Sequence, residues 1–179
     1  KLSKSVHVSR VLLAPGNAGT FDCSKMENLP SSTVNPSDNE NVVNYCTQNN
    51  IDFVVVGPEA PLANGVADYL NEAKIPCFGP SKAASRIESD KAFAKDFMER
   101  YGIPTAKWKA FSDAEEACEH IRNAKYPALV VKASGLAAGK GVIVARDKEE
   151  AVRAVKEILQ VCFEIIIILI IDNIFVSFF

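Results

Sequence analysis

Short apolar runs alternate with amphipathic segments along the first half of the chain. Residues 11–14, 53–56 and 77–79 are apolar on both faces, and each run ends at proline or glycine. Such runs are typical of buried parallel strands. Between them, residues 41–50 and 62–73 carry apolar side chains at helical spacing. The alternation predicts an α/β lobe in which helices connect the strands of a parallel sheet.

The pattern changes after Gly79, where we place a domain boundary. A long helix is predicted over residues 82–101, with Phe93, Phe97 and Tyr101 along one face and Lys91 and Lys95 toward its edges. A strand over 108–111, a helix over 113–124 capped by Ser112, a strand–loop–strand over 128–144 and a helix over 148–160 follow. This order predicts a small α+β lobe with its helices on one face of an antiparallel sheet.

Beyond Gln160 the chain becomes strongly apolar. The uninterrupted run 165–171 is far shorter than the ~20 residues that a bilayer-spanning helix needs, and Asp172 and Asn173 follow it. We therefore expect no membrane anchor. Residues 164–179 are interpreted as an apolar strand or as a translated non-native end, outside the two lobes 1–79 and 80–163.

Charge and cysteine usage narrow the function classes. Lys and Arg number 20 against 22 Asp and Glu, so no overall charge attracts nucleic acid or an anionic membrane. The five cysteines are widely spaced, without a C-x-x-C pair, and the amino-terminal residues lack the apolar core of a signal peptide. These features favour a reducing compartment, and we expect a cytoplasmic protein.

A lysine and a glycine-rich loop are the main candidates for chemistry. Lys132 ends an apolar run, and a buried ammonium is costly unless an anion meets it. The loop from Ser134 to Gly141 could turn its backbone N–H groups toward phosphate oxygens. The alternatives are a lysine that reaches solvent from an edge strand and an ordinary hairpin. The candidate nucleotide-binding residues of this loop are Ser134, Gly135, Leu136, Ala137, Ala138, Gly139, Lys140 and Gly141.

Two Gly/Pro-rich loops follow strands of the first lobe, at residues 15–20 and 57–62. Ligands of open parallel sheets bind beyond the carboxyl ends of the strands. Ordinary turns are an equally good interpretation of both loops. The candidate substrate-binding residues are Gly16, Asn17, Gly19, Thr20, Pro58 and Glu59.

Five segments in succession carry a family resemblance: PGNAGT, FVVVGPEAPLANGVADYL, CFGPSKAA, ESDKAFAKDFMERYGIPTA and ALVVKASGLAAGKGVIVA. Over residues 7–160 the chain resembles the phosphoribosylamine–glycine ligases, which are ATP-grasp enzymes of purine synthesis. The resemblance implies a Rossmann-like lobe followed by the first part of an ATP-grasp domain. With serine at position 134, the chain resembles the animal multifunctional form of the family, because bacterial relatives have Asp at this position.

The resemblance also implies an activity and its ligands. These ligases join glycine to 5-phosphoribosylamine with ATP and Mg²⁺ or Mn²⁺, and form glycinamide ribonucleotide, ADP and phosphate. Lys91 and Lys132 match the two lysines that contact ATP phosphates, and 135–141 matches the loop that closes over them. Fusion of the parent chain to other purine-synthesis domains is a further implication.

The chain also departs from the family. A first strand expected before Lys1 is absent, and the resemblance ends at Gln160, so the metal ligands are expected in a missing carboxyl-terminal part. We therefore expect a truncated chain that is inactive alone. Alternatives are another ATP-grasp ligase, against which the loops 15–20 and 57–62 argue, and a non-catalytic isoform that binds nucleotide weakly.

Overall fold

The computed structural model describes residues 1–20, 24–125, 129–134, 141–161 and 166–170. The chain divides into two compact units, Lys1–Ser85 and Arg86–Phe179. Among the described residues, no helix has the length and apolar character needed to cross a membrane.

The first unit contains two pairs of parallel strands. Strand β1 (Val11–Leu13) pairs with β2 (Met26–Asn28), and β3 (Val54–Val55) pairs with β4 (Cys77–Phe78). The parallel arrangement confirms the expected α/β class. A single continuous sheet is not formed, because among the described residues β1 and β3 do not pair with each other. β2 was not predicted, since the sequence Met-Glu-Asn contains no apolar run.

Three helices complete this unit: α1 (Asn39–Gln48), α2 (Glu59–Asn64) and α3 (Val66–Glu72). The single helix predicted over 62–73 is wrong, because the chain forms two helices there. Gly65, between α2 and α3, adopts a left-handed conformation with φ 95°. Glycine adopts that conformation without steric cost. A core of apolar side chains unites the elements and consists of Leu29, Val34, Val42, Cys46, Val66, Leu70 and Ile75.

The long helix predicted over 82–101 is two helices, α4 (Lys82–Ser89) and α5 (Lys91–Arg100). Asp90 between them has extended backbone angles, φ −128° and ψ 96°, and its carboxylate accepts a hydrogen bond from the N–H of Phe93. An aspartate in this position is a strong helix cap. The chain therefore starts a new helix at Lys91.

The second unit is built on a four-stranded antiparallel sheet. Its strands are β5 (Lys107–Phe111), β6 (Leu129–Ala133), β7 (Val142–Ala145) and β8 (Ile166–Ile170), in the order β5-β8-β6-β7. Helices α6 (Ala114–Asn123) and α7 (Lys148–Val161) pack on one face. The expected antiparallel sheet with helices on one face is confirmed, and residues 166–170, which the sequence placed outside this lobe, form its strand β8 between β5 and β6. Ser112 was the wrong cap for α6, because the carboxylate of Asp113 accepts from the N–H of Glu116 at 2.9 Å.

Alternation along β6 separates the two faces of this sheet. Leu129, Val131 and Ala133 join the core beneath α6 and α7. Val130 lies on the opposite face in a smaller cluster with Ile167, which is packed by Ala92, Trp108 and Ala110. Because strand side chains alternate, Lys132 shares the face of Val130. The two faces thus differ, one closed by helices and the other carrying a lysine.

Candidate functional site

Lys132 lies on the face of the second unit's sheet opposite α6 and α7. It pairs in register with Val142 on one side and with Ile167 on the other. The side chain is half-buried. In the described part of the chain, no carboxylate forms an ion pair with it and no hydrogen bond satisfies it. An ammonium in this setting favours the approach of an anion.

Lys95 of α5 adds a second positive charge near Lys132. Its ammonium donates to the hydroxyl of Thr105 and, at 3.2 Å, to the carbonyl oxygen of Ala106. Burial lowers the pKa of Lys95, and the charge of Lys132 lowers it further. Two lysines whose charges repel each other produce a positive potential that an anion would relieve. This proximity could not be predicted from the sequence, because it depends on how α5 lies against β6.

Lys91 is the first residue of α5, and its backbone is tied to the end of β6. The N–H of Lys91 donates to the carbonyl oxygen of Ser134 at 3.1 Å, and the N–H of Ala92 donates to the Ser134 hydroxyl at 3.3 Å. Ser134 is only 7% exposed. The structure therefore brings Lys91, Lys132 and Ser134 into one region of the second unit.

Asp90 is a further residue of this region that the sequence interpretation missed. Its carboxylate accepts from the N–H of Phe93 at 3.0 Å, from the guanidinium of Arg86 at 3.2 Å and from the Ser134 hydroxyl at 3.5 Å. The bond from Phe93 is the largest of the effects that hold the pKa of Asp90 below its usual range. Aspartate before a helical pattern was the signal that could have identified the cap.

Most of the predicted glycine-rich loop lies outside the described residues: Gly135, Leu136, Ala137, Ala138, Gly139 and Lys140. Its two ends are described. The carbonyl oxygen of Gly141 accepts from the N–H of Ala133 at 2.8 Å, and β6 and β7 continue as an antiparallel pair. The loop thus connects two paired strands, as the sequence predicts, and no helix follows it.

In the first unit, the loop after β1 is organised by hydrogen bonds among Asn17, Thr20 and Asn28. The Asn17 Oδ1 accepts from the N–H of Gly19 at 2.9 Å, and the Thr20 hydroxyl donates to the Oδ1 of Asn28 at 2.7 Å. The Asn28 amide donates to the carbonyl oxygen of Asn17 at 3.2 Å. Asn28, on the unpredicted strand β2, therefore belongs with Gly16, Asn17, Gly19 and Thr20.

Pro58 and Glu59 begin α2 after β3. Pro58 lines a cavity of about 190 Å³ together with Ala14, Gly57 and otherwise mainly apolar side chains. Glu59 and the predicted polar residues of the loop 15–20 do not line this cavity. The structure therefore does not bring all six candidate substrate residues together around it.

Metal-ligating side chains are not clustered in the described ranges. No group of three or more His, Cys, Asp or Glu side chains is placed to hold an ion there. The described residues consequently do not fit a resident metal.

Two family models match the chain in succession. The N domain of phosphoribosylglycinamide synthetase matches residues 1–88, and the ATP-grasp (A) domain of the same synthetase matches residues 89–171. The second unit is therefore part of an ATP-grasp domain. The chain belongs to the phosphoribosylglycinamide synthetase family. The second match extends beyond Gln160 and includes β8.

Individual relatives agree with this assignment. The human trifunctional purine biosynthetic protein adenosine-3 is 58% identical over 160 residues, which cover 89% of this chain and 16% of the human protein. The phosphoribosylamine–glycine ligase of Pasteurella multocida is 46% identical, with 89% of this chain and 36% of that enzyme covered. The chain thus spans only a small part of the relatives that it matches.

A solved structure supports the fold over both units. The phosphoribosylamine–glycine ligase of Thermotoga maritima is 30% identical, with a TM-score of 0.67 over 90% of this chain and 38% of that enzyme. The Rossmann-like lobe followed by the first part of an ATP-grasp domain is therefore confirmed as the fold class.

Proposed function

We propose that this chain supplies the amino-terminal lobe and an ATP-phosphate-binding surface of a phosphoribosylamine–glycine ligase. The proposed reaction joins glycine to 5-phosphoribosylamine at the expense of ATP. A glycine carboxylate oxygen attacks the γ-phosphoryl group and ADP leaves. The amine of phosphoribosylamine then attacks the acyl carbon and displaces phosphate, which yields glycinamide ribonucleotide.

The observation that carries the proposal is the environment of Lys132. This lysine is half-buried, lacks an ionic partner among the described residues and lies close enough to Lys95 to lower that residue's pKa. Phosphoryl transfer is catalysed mainly by positioning and by positive charge around the transferring group. A triphosphate would supply the anionic partner that Lys132 lacks among the described residues.

The same face of the sheet offers an apolar surface beside the lysine. Val142 and Val144 are 44% and 63% exposed, and they pair in register with Lys132 and Val130. Residues paired across a sheet share a face, so the exposed valines lie next to Lys132. An apolar surface next to a cation suits a ligand with a flat base at one end and phosphates at the other, as in ATP.

Lys91 and the loop 135–141 are proposed to complete the phosphate contacts. Asn17, Thr20 and the start of α2 are proposed to contact phosphoribosylamine. The Mg²⁺ or Mn²⁺ that accompanies ATP is proposed to bind residues outside this chain.

We also propose that the parent chain is fused to other domains and that the protein is cytoplasmic. The human relative is trifunctional by name, which supports a parent chain joined to other purine-synthesis domains. The thiols of Cys46, Cys77 and Cys118 are free, which supports a reducing compartment and hence the cytoplasm.

Anion titration tests the proposed nucleotide surface. The chain is titrated separately with ATP and with inorganic tripolyphosphate while its backbone and lysine resonances are followed by NMR. We expect saturable shifts at Lys132, and a loss of affinity on the order of tenfold or more in Lys132→Met, as for other hydrogen bonds to charged groups. Lys109→Met is the matched control, because Lys109 lies on the opposite face of the same sheet.

The outcomes separate the alternatives. If neither ATP nor tripolyphosphate produces saturable shifts, the result would contradict a nucleotide surface in this chain. Equal affinity in Lys132→Met and the unmodified chain would remove Lys132 from the site. Formation of glycinamide ribonucleotide by the longer ligase that contains this segment tests the reaction itself.

A further inference from the structure

The first turn of α5 has all of its amino-terminal N–H groups satisfied. A helix leaves these donors without partners inside the helix itself. Here the N–H of Asp90 donates to the carbonyl oxygen of Arg86 at 2.9 Å, and that of Phe93 donates to the Asp90 carboxylate at 3.0 Å. The remaining two donors, on Lys91 and Ala92, are both met by Ser134. This helix end therefore has no free backbone donor for a phosphate.

Ser134 makes these contacts although it lies 42 residues away from Ala92 in the sequence. It directly follows β6 and lies two residues after Lys132. Its carbonyl oxygen accepts from Lys91, while its hydroxyl accepts from Ala92 and donates toward the Asp90 carboxylate at 3.5 Å. One residue thus joins the strand that carries Lys132 to the helix that begins with Lys91.

We propose that Ser134 is a positioning residue that fixes Lys91 relative to Lys132. Its hydroxyl is engaged with the protein, so it acts on the nucleotide through the two lysines and does not contact phosphate. The expected effect of Ser134 on nucleotide affinity rests on the proposed function. The hydrogen bonds of Ser134 are independent of that proposal.

The chemistry of the pair Ser134 and Asp90 makes the proposal specific. A hydroxyl can accept from one group and donate to another, whereas an ionised carboxylate only accepts. An aspartate at position 134 would place a second negative charge beside Asp90, and like charges at this distance repel. If residue 90 became serine, its hydroxyl could donate to that new carboxylate. We therefore expect Ser134→Asp to be tolerated only when it is combined with Asp90→Ser.

Amide hydrogen exchange tests the contacts without nucleotide. In Ser134→Ala, exchange at Ala92 should rise about tenfold relative to Lys91 in the same molecule, the order expected for one lost hydrogen bond. Lys91 should keep its protection, because its partner is a backbone carbonyl. The ratio of the two rates cancels any general loss of stability. Ser112→Ala, at an exposed serine of the same unit, is the control and should leave the ratio unchanged.

Tripolyphosphate titration by NMR tests the consequence. Ser134→Asp should bind the anion about tenfold more weakly than the unmodified chain, as expected when charge-assisted contacts are misplaced. The exchanged pair Asp90→Ser/Ser134→Asp should recover to within about threefold.

Three results would overturn the positioning role. They are an unchanged Ala92 to Lys91 ratio in Ser134→Ala, unchanged tripolyphosphate affinity in Ser134→Asp, and no recovery in the exchanged pair. If the unmodified chain does not bind tripolyphosphate, the proposed function fails. The exchange ratio and the relative stabilities of the single and exchanged variants then still decide whether Ser134 joins β6 to α5.

Discussion

The side chain of Asn28 fills the space that a side chain at residue 16 would need. A Cβ added to Gly16 would overlap the Oδ1 and Cγ of Asn28 and lie 2.7 Å from its Cβ. Asn28 in turn holds Thr20 and Asn17 by hydrogen bonds. Glycine at position 16 is therefore required by a side chain on the neighbouring strand.

Gly16→Ala should destabilise the first unit by about 1–3 kcal/mol, because an added methyl group must displace Asn28. Urea unfolding measures the change. Gly57→Ala is the control, since nothing lies within 4 Å of a Cβ added there. The loss caused by Gly16→Ala should be smaller in an Asn28→Gly background, because that change removes all three Asn28 atoms that the added Cβ would meet. Equal stability of Gly16→Ala and the unmodified chain would disprove the steric argument.

Asp90→Ala should destabilise α5 by about 1 kcal/mol at neutral pH, because the cap of Phe93 is lost. The folded-state pKa of Asp90 is lowered, chiefly by the Phe93 N–H. Its ionised form therefore stabilises the fold above the unfolded pKa of about 3.9, and this contribution disappears as the pH falls through the folded pKa. The stability difference from Asp90→Asn should accordingly shrink in acid. Asp96→Asn, at an exposed ion pair, controls for the loss of a carboxylate. A difference that grows in acid would contradict this account.

His120 should make the second unit less stable below about pH 6.5. Burial lowers the pKa of His120, and Lys109 lowers it further; the buried Nε2 atom has no hydrogen-bond partner among the residues that the structure describes. The unfolded chain then takes up a proton at a higher pH than the folded chain, so stability is lost as the pH falls through this interval. His120→Gln should flatten the dependence in urea unfolding between about pH 7 and 5. His7→Gln, at an exposed histidine, is the comparison; a slope that persists in His120→Gln would assign the effect to another group.

Ile168→Ala should cost the second unit about 2–5 kcal/mol, the usual range for truncating a buried isoleucine. Ile168 is 0% exposed and belongs to the core beneath α6 and α7. Thermal or urea unfolding measures the loss. Val144→Ala truncates an exposed strand residue of the same sheet and should change stability by no more than about 0.5 kcal/mol. Similar stabilities for the two variants would show that β8 does not belong to the core.

Local sequence patterns were sufficient for elements that depend on neighbouring residues. The apolar run 129–133 and the periodic segment 148–160 predicted β6 and α7, because burial of each element follows its own alternation or period. β2 could not be predicted this way, since Met26, Glu27 and Asn28 pair with β1 through backbone groups. The break at Asp90 was missed because the apolar period continues across it, whereas the carboxylate favours a new helix start.

The candidate site was predictable only in part, for a related reason. Lys132 was identified from its position at the end of an apolar run and Lys91 by resemblance, and the structure brings their elements together through Ser134. Lys95 and Asp90 join this region through the packing of α5 against the end of β6. A one-dimensional pattern does not contain that contact.

The position of β8 has a consequence for the order of folding. β8 lies between β5 and β6, which do not pair with each other, although it follows both of them in the sequence. During synthesis, β5, β6 and β7 emerge from the ribosome before the strand that joins β5 to the others. Pairing of strands far apart in sequence is slow, and unpaired strand edges invite aggregation. The nascent second unit therefore carries two unpaired strand edges until residue 170 has emerged from the ribosome.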